Sequence, residues 1–464
     1  MSSNNTKNII AQKDGSIAGL ESSIPGIMEK ALIPGLSIAV IQDGKIYWEN
    51  GFGVKNYQTQ DPITNETVFE AASLSKPVFS YAVMKMLEKG VLDLDKPLIE
   101  YVSDDYIEKN FLGEKIDDAR FKIITARHVL SHTTGFPNWR GQKPLTIDFD
   151  PGDKFSYSGE GFEYLRSVVE EVTGVSLESL VRREVFEPLG MNHSRYTWLK
   201  NRESNVAQPH GIMRDVGKKR EIEGGNSAGS LHTTVSDYAK FIVAILNKNG
   251  LSKSKYEMML SPQASVPDES DGIAWGLGVG LQKNEDGITF WHWGDNRNFK
   301  CFFMASPEKK AGMVYFTNSC YGLTVRKQLA QLVVSGHHPI MDSILLRNYS
   351  DVNLPWMDFM CVLVNEGIDK AIIKLDELRK KLPATEILQE GLVNRIGCYY
   401  MDKKQYKNAL KIFRLNTEIY PDSWRVHNSL GDALKENGDA ELAVLSYEKS
   451  LQMERSALAQ QTKM

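Results

Sequence analysis

Gly397 and Gly431 stand 34 residues apart, and Tyr400 and Leu434, Ala409 and Ala443, and Phe413 and Tyr447 repeat at the same interval. A small residue, an apolar one three later, then an alanine and an aromatic describe a unit of two crossing helices. Pro421 lies twelve residues after Ala409, and Pro383 twelve after Ala371, which points to an earlier, more divergent unit. Repeats are therefore expected over about 352–384, 390–423 and 424–457. Such hairpins cannot bury their apolar faces singly, and about three are needed for a continuous core. This register restricts the end of the chain, 346–464, to an all-α stack of helical hairpins.

Residues 1–345 have another texture, in which strand-like and helical runs alternate. An amphipathic stretch over 17–32 is followed by Pro34-Gly35 and by two β-rich runs around Asp43-Gly44, a two-residue hairpin signal. Past Thr67 the run FSYAVMKMLEKG has helical spacing, and 90–235 is long and turn-rich. The runs WGLGVGLQ, GITFWHWG, FKCFFMAS and AGMVYFTN read as four consecutive strands, and LTVRKQLAQLVVS as a closing helix. Strands at both ends with helices between predict an α/β (α+β) domain. Its antiparallel sheet is built from both ends of the region, flanked by helices, with a helical insert.

The composition narrows the function classes. Of 464 residues, 42% are hydrophobic and 25% charged, which excludes wholesale disorder. At about 150 residues per domain the length allows roughly three units. A net charge of −4 gives no electrostatic ground for nucleic acid or an anionic membrane as partner. No uncharged run is long enough to span a bilayer. The first sixteen residues lack the apolar core of a secretion signal, so a cytoplasmic location is expected, or an exported form with its leader removed. Cys301, Cys320, Cys361 and Cys398 show no C-x-x-C spacing, so neither a zinc ribbon nor a disulfide framework is indicated.

Ser73-Leu74-Ser75-Lys76 is a Ser-x-x-Lys. If Ser73 opens a helix, Lys76 returns to the same face one turn on. An ammonium there stabilises the alkoxide and, when neutral, takes the hydroxyl proton, while the helix N-terminus adds its positive end. Pro77 is compatible with a first helical turn. Tyr157-Ser158-Gly159 follows Pro151-Gly152 in a loop, and a phenol can shuttle a proton when cations lower its pKa. His292-Trp293-Gly294 ends a strand whose edge could bind an extended acyl chain and present an amide to an oxyanion. In this order these are the parts of a serine acylase of the β-lactamase type.

The region from about 15 to 340 resembles class C β-lactamases and related penicillin-binding-protein-like serine hydrolases. The segments LSHTTGFP, FEPLGMNHS and SAGSLHTTVSDYAKF carry the likeness further, and the repeats beyond it are similar to tetratricopeptide repeats. The resemblance implies Ser73 as acyl nucleophile, Lys76 as its activating partner and Tyr157 as general base or proton shuttle. His292 stands where that family has Lys or His on its substrate-binding strand. The amides of Ser73 and Asp295 would form the oxyanion hole, and Gly159, Trp293, Gly294, Asp295 and Arg297 would line the substrate. Two departures are visible. The tyrosine loop of the family usually ends in Asn, here Gly159, and its Lys-Thr-Gly is here His-Trp-Gly followed by Asp295. An added anion and a bulky indole should weaken binding of a β-lactam carboxylate, though Arg297 could compensate. The expected activity is therefore an acyl-enzyme hydrolysis of ester, amide or lactam carbonyls, that of a carboxylesterase or D-amino-acid peptidase or amidase rather than an efficient β-lactamase, on a small-molecule or peptide acyl substrate, with no metal or organic cofactor.

Other readings compete. Gly225-Asn226-Ser227-Ala228-Gly229 matches a nucleophile elbow, but the preceding GKKREIEGG is too charged for a buried parallel strand. His128 and His132 lie at i, i+4 without a third metal ligand, and His337-His338 reads as a cationic cap of the closing helix. Trp198, Trp275, Trp291 and Trp293 fit an acyl pocket or the core. A transacylase or peptide cyclase would share the acyl-enzyme. An inactive scaffold would use only the repeats, holding a protein or peptide partner.

Overall fold

The structure, a computed structural model, describes residues 17–461 except 199–203, 268–271, 335, 344, 347, 348 and 350. The stretch examined for a secretion signal, 1–16, lies outside the described residues. The chain divides into two units, 1–351 and 352–464.

The first unit opens with α1 (Ile17–Lys30), β1 (Gly35–Gln42) and β2 (Lys45–Asn56). Asp43 and Gly44 both have positive φ (52° and 68°), the two-residue turn whose twist suits a hairpin. The two-residue β3 (Asp61–Pro62) follows, then β4 (Phe69–Ala72), α2 (Ser75–Glu88), α3 (Gly159–Thr173), β5 (Leu231–Thr233) and α4 (Val235–Leu246). The unit closes with β6 (Ala264–Ser265), β7 (Ile273–Trp275), β8 (Gly280–Asn284), β9 (Gly287–Asp295), β10 (Lys300–Ser306), β11 (Ala311–Thr317) and α5 (Arg326–Val333).

Nine strands form one antiparallel sheet in the order β3-β2-β1-β11-β10-β9-β8-β7-β6. The two ends of the region meet inside it, where Leu36 of β1 pairs with Thr317 of β11. β10 is buried along its whole length, and between the terminal Lys300 and Ser306 it reads as an unbroken apolar run, Cys301–Ala305, rather than an alternating one. α4 packs on β1, β2 and β11, and α5 on α1 and β11. β4 pairs with β5 in a separate two-stranded sheet that holds the insert against β9, β10 and β11.

Two expectations from periodicity fail locally. WGLGVGLQ is not one strand: Trp275 ends β7, the chain turns at Gly278 (φ 84°), and β8 begins at Gly280. Alternating glycines mimic the strand period while supplying the turn. The closing helix is a 3-10 turn at Gly322–Val325 followed by α5, which stops at Val333. His337 and His338 lie beyond it, so they do not cap it; His338 Nδ1 instead meets Gln282 Nε2 at 2.9 Å.

The first unit also runs past 345. The Arg326 guanidinium donates to Met341 O (2.9 Å) and Tyr349 O (2.6 Å), which ties this segment back.

The second unit contains α6 (Pro355–Glu366), α7 (Ile368–Arg379), α8 (Glu390–Asp402), α9 (Tyr406–Ile419), α10 (Trp424–Asn437) and α11 (Ala440–Gln461). They pack as consecutive pairs, with α9 also against α10. The repeating glycine has a steric reason. A Cβ on Gly397 would run into the Phe413 ring, and one on Gly431 would lie 2.5 Å from Cε1 of Tyr447. Helix and aromatic face therefore approach more closely than any side chain allows. Among the described residues no helix is long and apolar enough to cross a membrane.

Candidate active site

β4 is wholly buried and delivers the chain to Ser73 through a strained residue. Ala72 has φ 48°, a left-handed conformation that costs a non-glycine residue about 1–2 kcal/mol. Such strain persists only where the surroundings impose it, and here they do. Ser75 Oγ donates to Ala72 O (2.6 Å), Tyr196 Oη to Ser75 O (2.6 Å) and Tyr238 Oη to Leu74 O (3.0 Å). Helix α2 begins at Ser75, so Ser73 sits in the turn before the helix rather than opening it. Lys76 still returns beneath it, because its amide bonds Ser73 O at 3.0 Å.

The Lys76 side chain is fully buried. Its Nζ donates to Ser73 Oγ at 3.3 Å and to Ala228 O at 2.9 Å. Burial pulls its pKa from 10.5 down to about 7, against the negative charge of Glu163, which favours the ammonium. Glu163, on α3, accepts from both the amide (2.7 Å) and the hydroxyl (2.8 Å) of Ser227 and pairs with Arg166 at 3.0 Å.

Lys76 Nζ lies 4.8 Å from the ring centroid of Tyr157, and the Tyr157 and His292 rings are 6.0 Å apart. Ser73, Lys76, Tyr157 and His292 thus converge. Their electrostatics differ from the sequence expectation. Burial raises the Tyr157 pKa above the usual phenol value, with the nearby Ser73 hydroxyl opposing it. That hydroxyl is near enough to influence the phenol, but no direct hydrogen bond forms. Tyr157 is a neutral phenol, not a phenolate. His292 is neutral too: burial, then the charge of Lys76, brings it down to about 3. Its Nδ1 faces Trp293 O at 2.7 Å, so Nδ1 carries the proton and Nε2 offers a lone pair.

A second histidine joins them. His132 stacks on Tyr157 with centroids 4.3 Å apart, and its Nδ1 accepts from the Ser158 amide at 3.0 Å. Its pKa is well below the usual value, through burial and then the charges of Lys76 and His292. Tyr157 Oη, His132 Nε2 and His292 Nε2 are all buried without a hydrogen-bond partner among the described residues. Buried polar atoms are nearly always paired, so these three are exceptions, and they gather around one lysine.

The β9 end is held against the Ser73 turn. A Cβ on Gly294 would lie 2.6 Å from Ala71 O and would strike Cys301 Sγ, so only glycine allows this approach. β8 pairs with β9 only up to Trp291, which leaves His292–Asp295 paired on the β10 side alone. Trp293 packs on Tyr157, centroids 5.0 Å apart. Arg297 is exposed at the following turn. The added anion, Asp295, has partners other than Arg297. Its carboxylate pairs with the buried Lys300 and accepts from Tyr349 Oη at 2.8 Å. Gly159 starts α3, and the Trp139 indole lies over it.

The rival sites fail on geometry. Ser227 is fully buried, its hydroxyl bonded to Phe162 O (2.9 Å) and Glu163, and no strand precedes it. Among the described residues no His, Cys, Asp and Glu cluster could hold a metal ion. Trp275 and Trp291 are fully buried core residues; Trp275 floors the site, 5.8 Å from the Tyr157 ring. The sequence alone gives Glu163, Trp139 and Tyr349 no role, and gives His132 only a structural one. His132 lies inside the LSHTTG segment, and Glu163 lies one turn beyond Gly159. Neither Trp139 nor Tyr349 carries any local signal.

A family model for beta-lactamase matches residues 20–337. The chain belongs to the beta-lactamase family. Tetratricopeptide repeat models match 392–423 and 425–456. Among curated relatives, Protein flp of Staphylococcus aureus (strain N315) is 22% identical over 312 residues, 63% of this chain and 61% of that protein. Penicillin-binding protein 4* of Bacillus subtilis (strain 168) is 23% identical over 320 residues, 61% of this chain and 67% of that protein. The chain therefore spans about 61% of the length of the first of these relatives. Among solved structures, an octameric penicillin-binding protein homologue from Pyrococcus abyssi has a TM-score of 0.57 at 25% identity, covering 75% of this chain and 81% of its own. A class C beta-lactamase mutant reaches 0.60 at 20% identity, over 72% and 99%. The family shares the antiparallel sheet with helices found here, and its members include penicillin-binding-protein-like and beta-lactamase serine hydrolases.

Proposed function

We propose that the chain is a serine hydrolase that forms an acyl-enzyme on ester or amide carbonyls, as a carboxylesterase or D-amino-acid peptidase or amidase. The observation that carries this is Lys76: a fully buried amine, near half-neutral at pH 7, 3.3 Å from Ser73 Oγ. A neutral amine beside a hydroxyl is a general base positioned for the nucleophile.

The Ser73 proton passes to Lys76 Nζ as Oγ bonds to the carbonyl carbon. The carbonyl electrons move onto oxygen, and the amides of Ser73 and Asp295 receive the oxyanion. On collapse the bond to the leaving group breaks. Tyr157, a neutral phenol, gives its proton to the departing atom and regains one from the Lys76 ammonium. Water then enters by the same route and releases the acid. His292 contributes a lone pair, not a charge.

Efficient β-lactam turnover is not part of this reading. Gly159 offers no amide to the acyl group, whereas the Asp295 carboxylate, neutralised by Lys300, is a weaker obstacle than sequence suggested. The helical repeats are read as the holder of a protein or peptide partner, and a reducing cytoplasm as the compartment.

The test is a fluorophosphonate probe followed by intact mass, alongside p-nitrophenyl esters, D-amino acid amides and nitrocefin. One covalent adduct on Ser73, lost in Ser73→Ala, is expected. Ester or amide hydrolysis should exceed nitrocefin hydrolysis, and Lys76→Ala should lower kcat by about 10²-fold or more. An unlabelled Ser73 would instead support an inactive scaffold.

A further inference from the structure

Gly159, two residues after Tyr157 at the start of α3, has no side chain of its own. A Cβ there would lie 2.5 Å from Cζ2 and 2.6 Å from Cη2 of Trp139, so the indole fills the space that a side chain at 159 would use. The same indole centroid is 6.0 Å from Lys76 Nζ. Trp139 is nonetheless 52% exposed, unusual for a tryptophan beside a buried cluster.

The backbone that carries the indole is anchored on both sides. On one side, Asn138 accepts the Gly159 amide with both its carbonyl and its side-chain oxygen (3.0 Å each), and the carbonyl also takes the Glu160 amide at 3.2 Å. On the other, the Arg140 amide donates to Glu160 Oε1 at 3.1 Å, and its guanidinium pairs with Glu160 at 3.4 Å. The guanidinium also donates to the carbonyls of Phe111 and Leu112. Both neighbours of Trp139 are thus bonded, one of them to the first turn of α3 and the other to that turn and the Phe111–Leu112 carbonyls. A large aromatic side chain on an anchored backbone has only two torsions left to fix, so it loses little conformational freedom when a ligand covers it.

We propose that Trp139 is the specificity-determining residue on the acyl side, its indole receiving a flat apolar or aromatic acyl group in place of a side-chain hydrogen bond from position 159. This rests on the acyl-enzyme reading above and names its substrate class. The preferred substrates are esters or amides of arylalkanoyl type, not of short polar acids.

The test compares p-nitrophenyl 3-phenylpropionate with p-nitrophenyl acetate. The unaltered protein should favour the phenylpropionate. Trp139→Ala should lose at least about tenfold more kcat/KM on the phenylpropionate than on the acetate, mainly through KM. Gly159→Asn should be harmful alone, because the indole must be displaced, and much less so in the Trp139→Ala background. Ser73 labelling by the fluorophosphonate reports that each variant retains its site. Equal losses on both esters, a preference for acetate in the unaltered protein, or additive effects of the two substitutions would overturn the inference while leaving the hydrolase reading intact. Absence of any Ser73 labelling in the unaltered protein would overturn both.

Discussion

Replacing Glu163 by Gln should shift the pH dependence of the hydrolase to lower pH. Burial sets the Lys76 pKa near 7, and Glu163 pulls it upward, so removing that charge lowers it further. Gln keeps an acceptor for the Ser227 amide and hydroxyl, so the packing of the loop that presents Ala228 O is retained. The other titratable groups facing Lys76 do not change charge near neutrality. His132 and His292 are held neutral, and the Tyr157 phenol is raised above its usual range. Lys76 alone then governs the profile. At a usual value of 10.5 about 0.03% of a lysine would be neutral at pH 7, against about half here, a gain of about a thousandfold in available base. In the unaltered protein kcat/KM should climb about tenfold per pH unit below 7 and level off above. The assay is kcat/KM on a p-nitrophenyl ester from pH 5 to 9, with the Ser73 labelling rate as a second readout. A flat profile, a midpoint at the ordinary lysine value, or an upward shift in Glu163→Gln would refute the reasoning.

The same lysine affects stability. Its folded pKa lies below the unfolded 10.5, so the folded state binds fewer protons between about 7 and 10.5. Stability is therefore highest above that window, falls as pH drops through it and is constant below 7. At about 1.4 kcal/mol per pH unit the total is of order 5 kcal/mol. Lys76→Met should abolish activity yet raise the urea midpoint at pH 7, and a lowered midpoint would contradict the burial argument.

Two further outcomes follow from the walls of the site. Gly294→Ala would press β9 off Ala71 O, costing about 1–3 kcal/mol and at least about tenfold in Ser73 labelling rate, measurable by urea melts and probe kinetics. Tyr349→Phe removes the 2.8 Å bond to Asp295, worth about 1 kcal/mol. It should raise KM for substrates bearing a carboxylate beside the scissile bond more than for neutral ones; equal KM changes would remove Tyr349 from the site.

What could be read from the chain before folding was local or periodic. The Asp43-Gly44 hairpin, the Ser-x-x-Lys turn and the 34-residue register depend on neighbours one turn or one repeat away, and the physics of a turn or a helix face is carried by those neighbours alone. The same locality misled at WGLGVGLQ, where glycine spacing imitates a strand. Tertiary structure alone decided the electrostatics. Whether Lys76 is an ammonium or an amine depends on how deeply Tyr157, Phe162 and Ala228 bury it, and whether Asp295 repels an anion depends on Lys300 and Tyr349. The indole over Gly159 comes from a loop twenty residues earlier. Burial and charge pairing are sums over groups brought together in space, and no window along the sequence contains that sum.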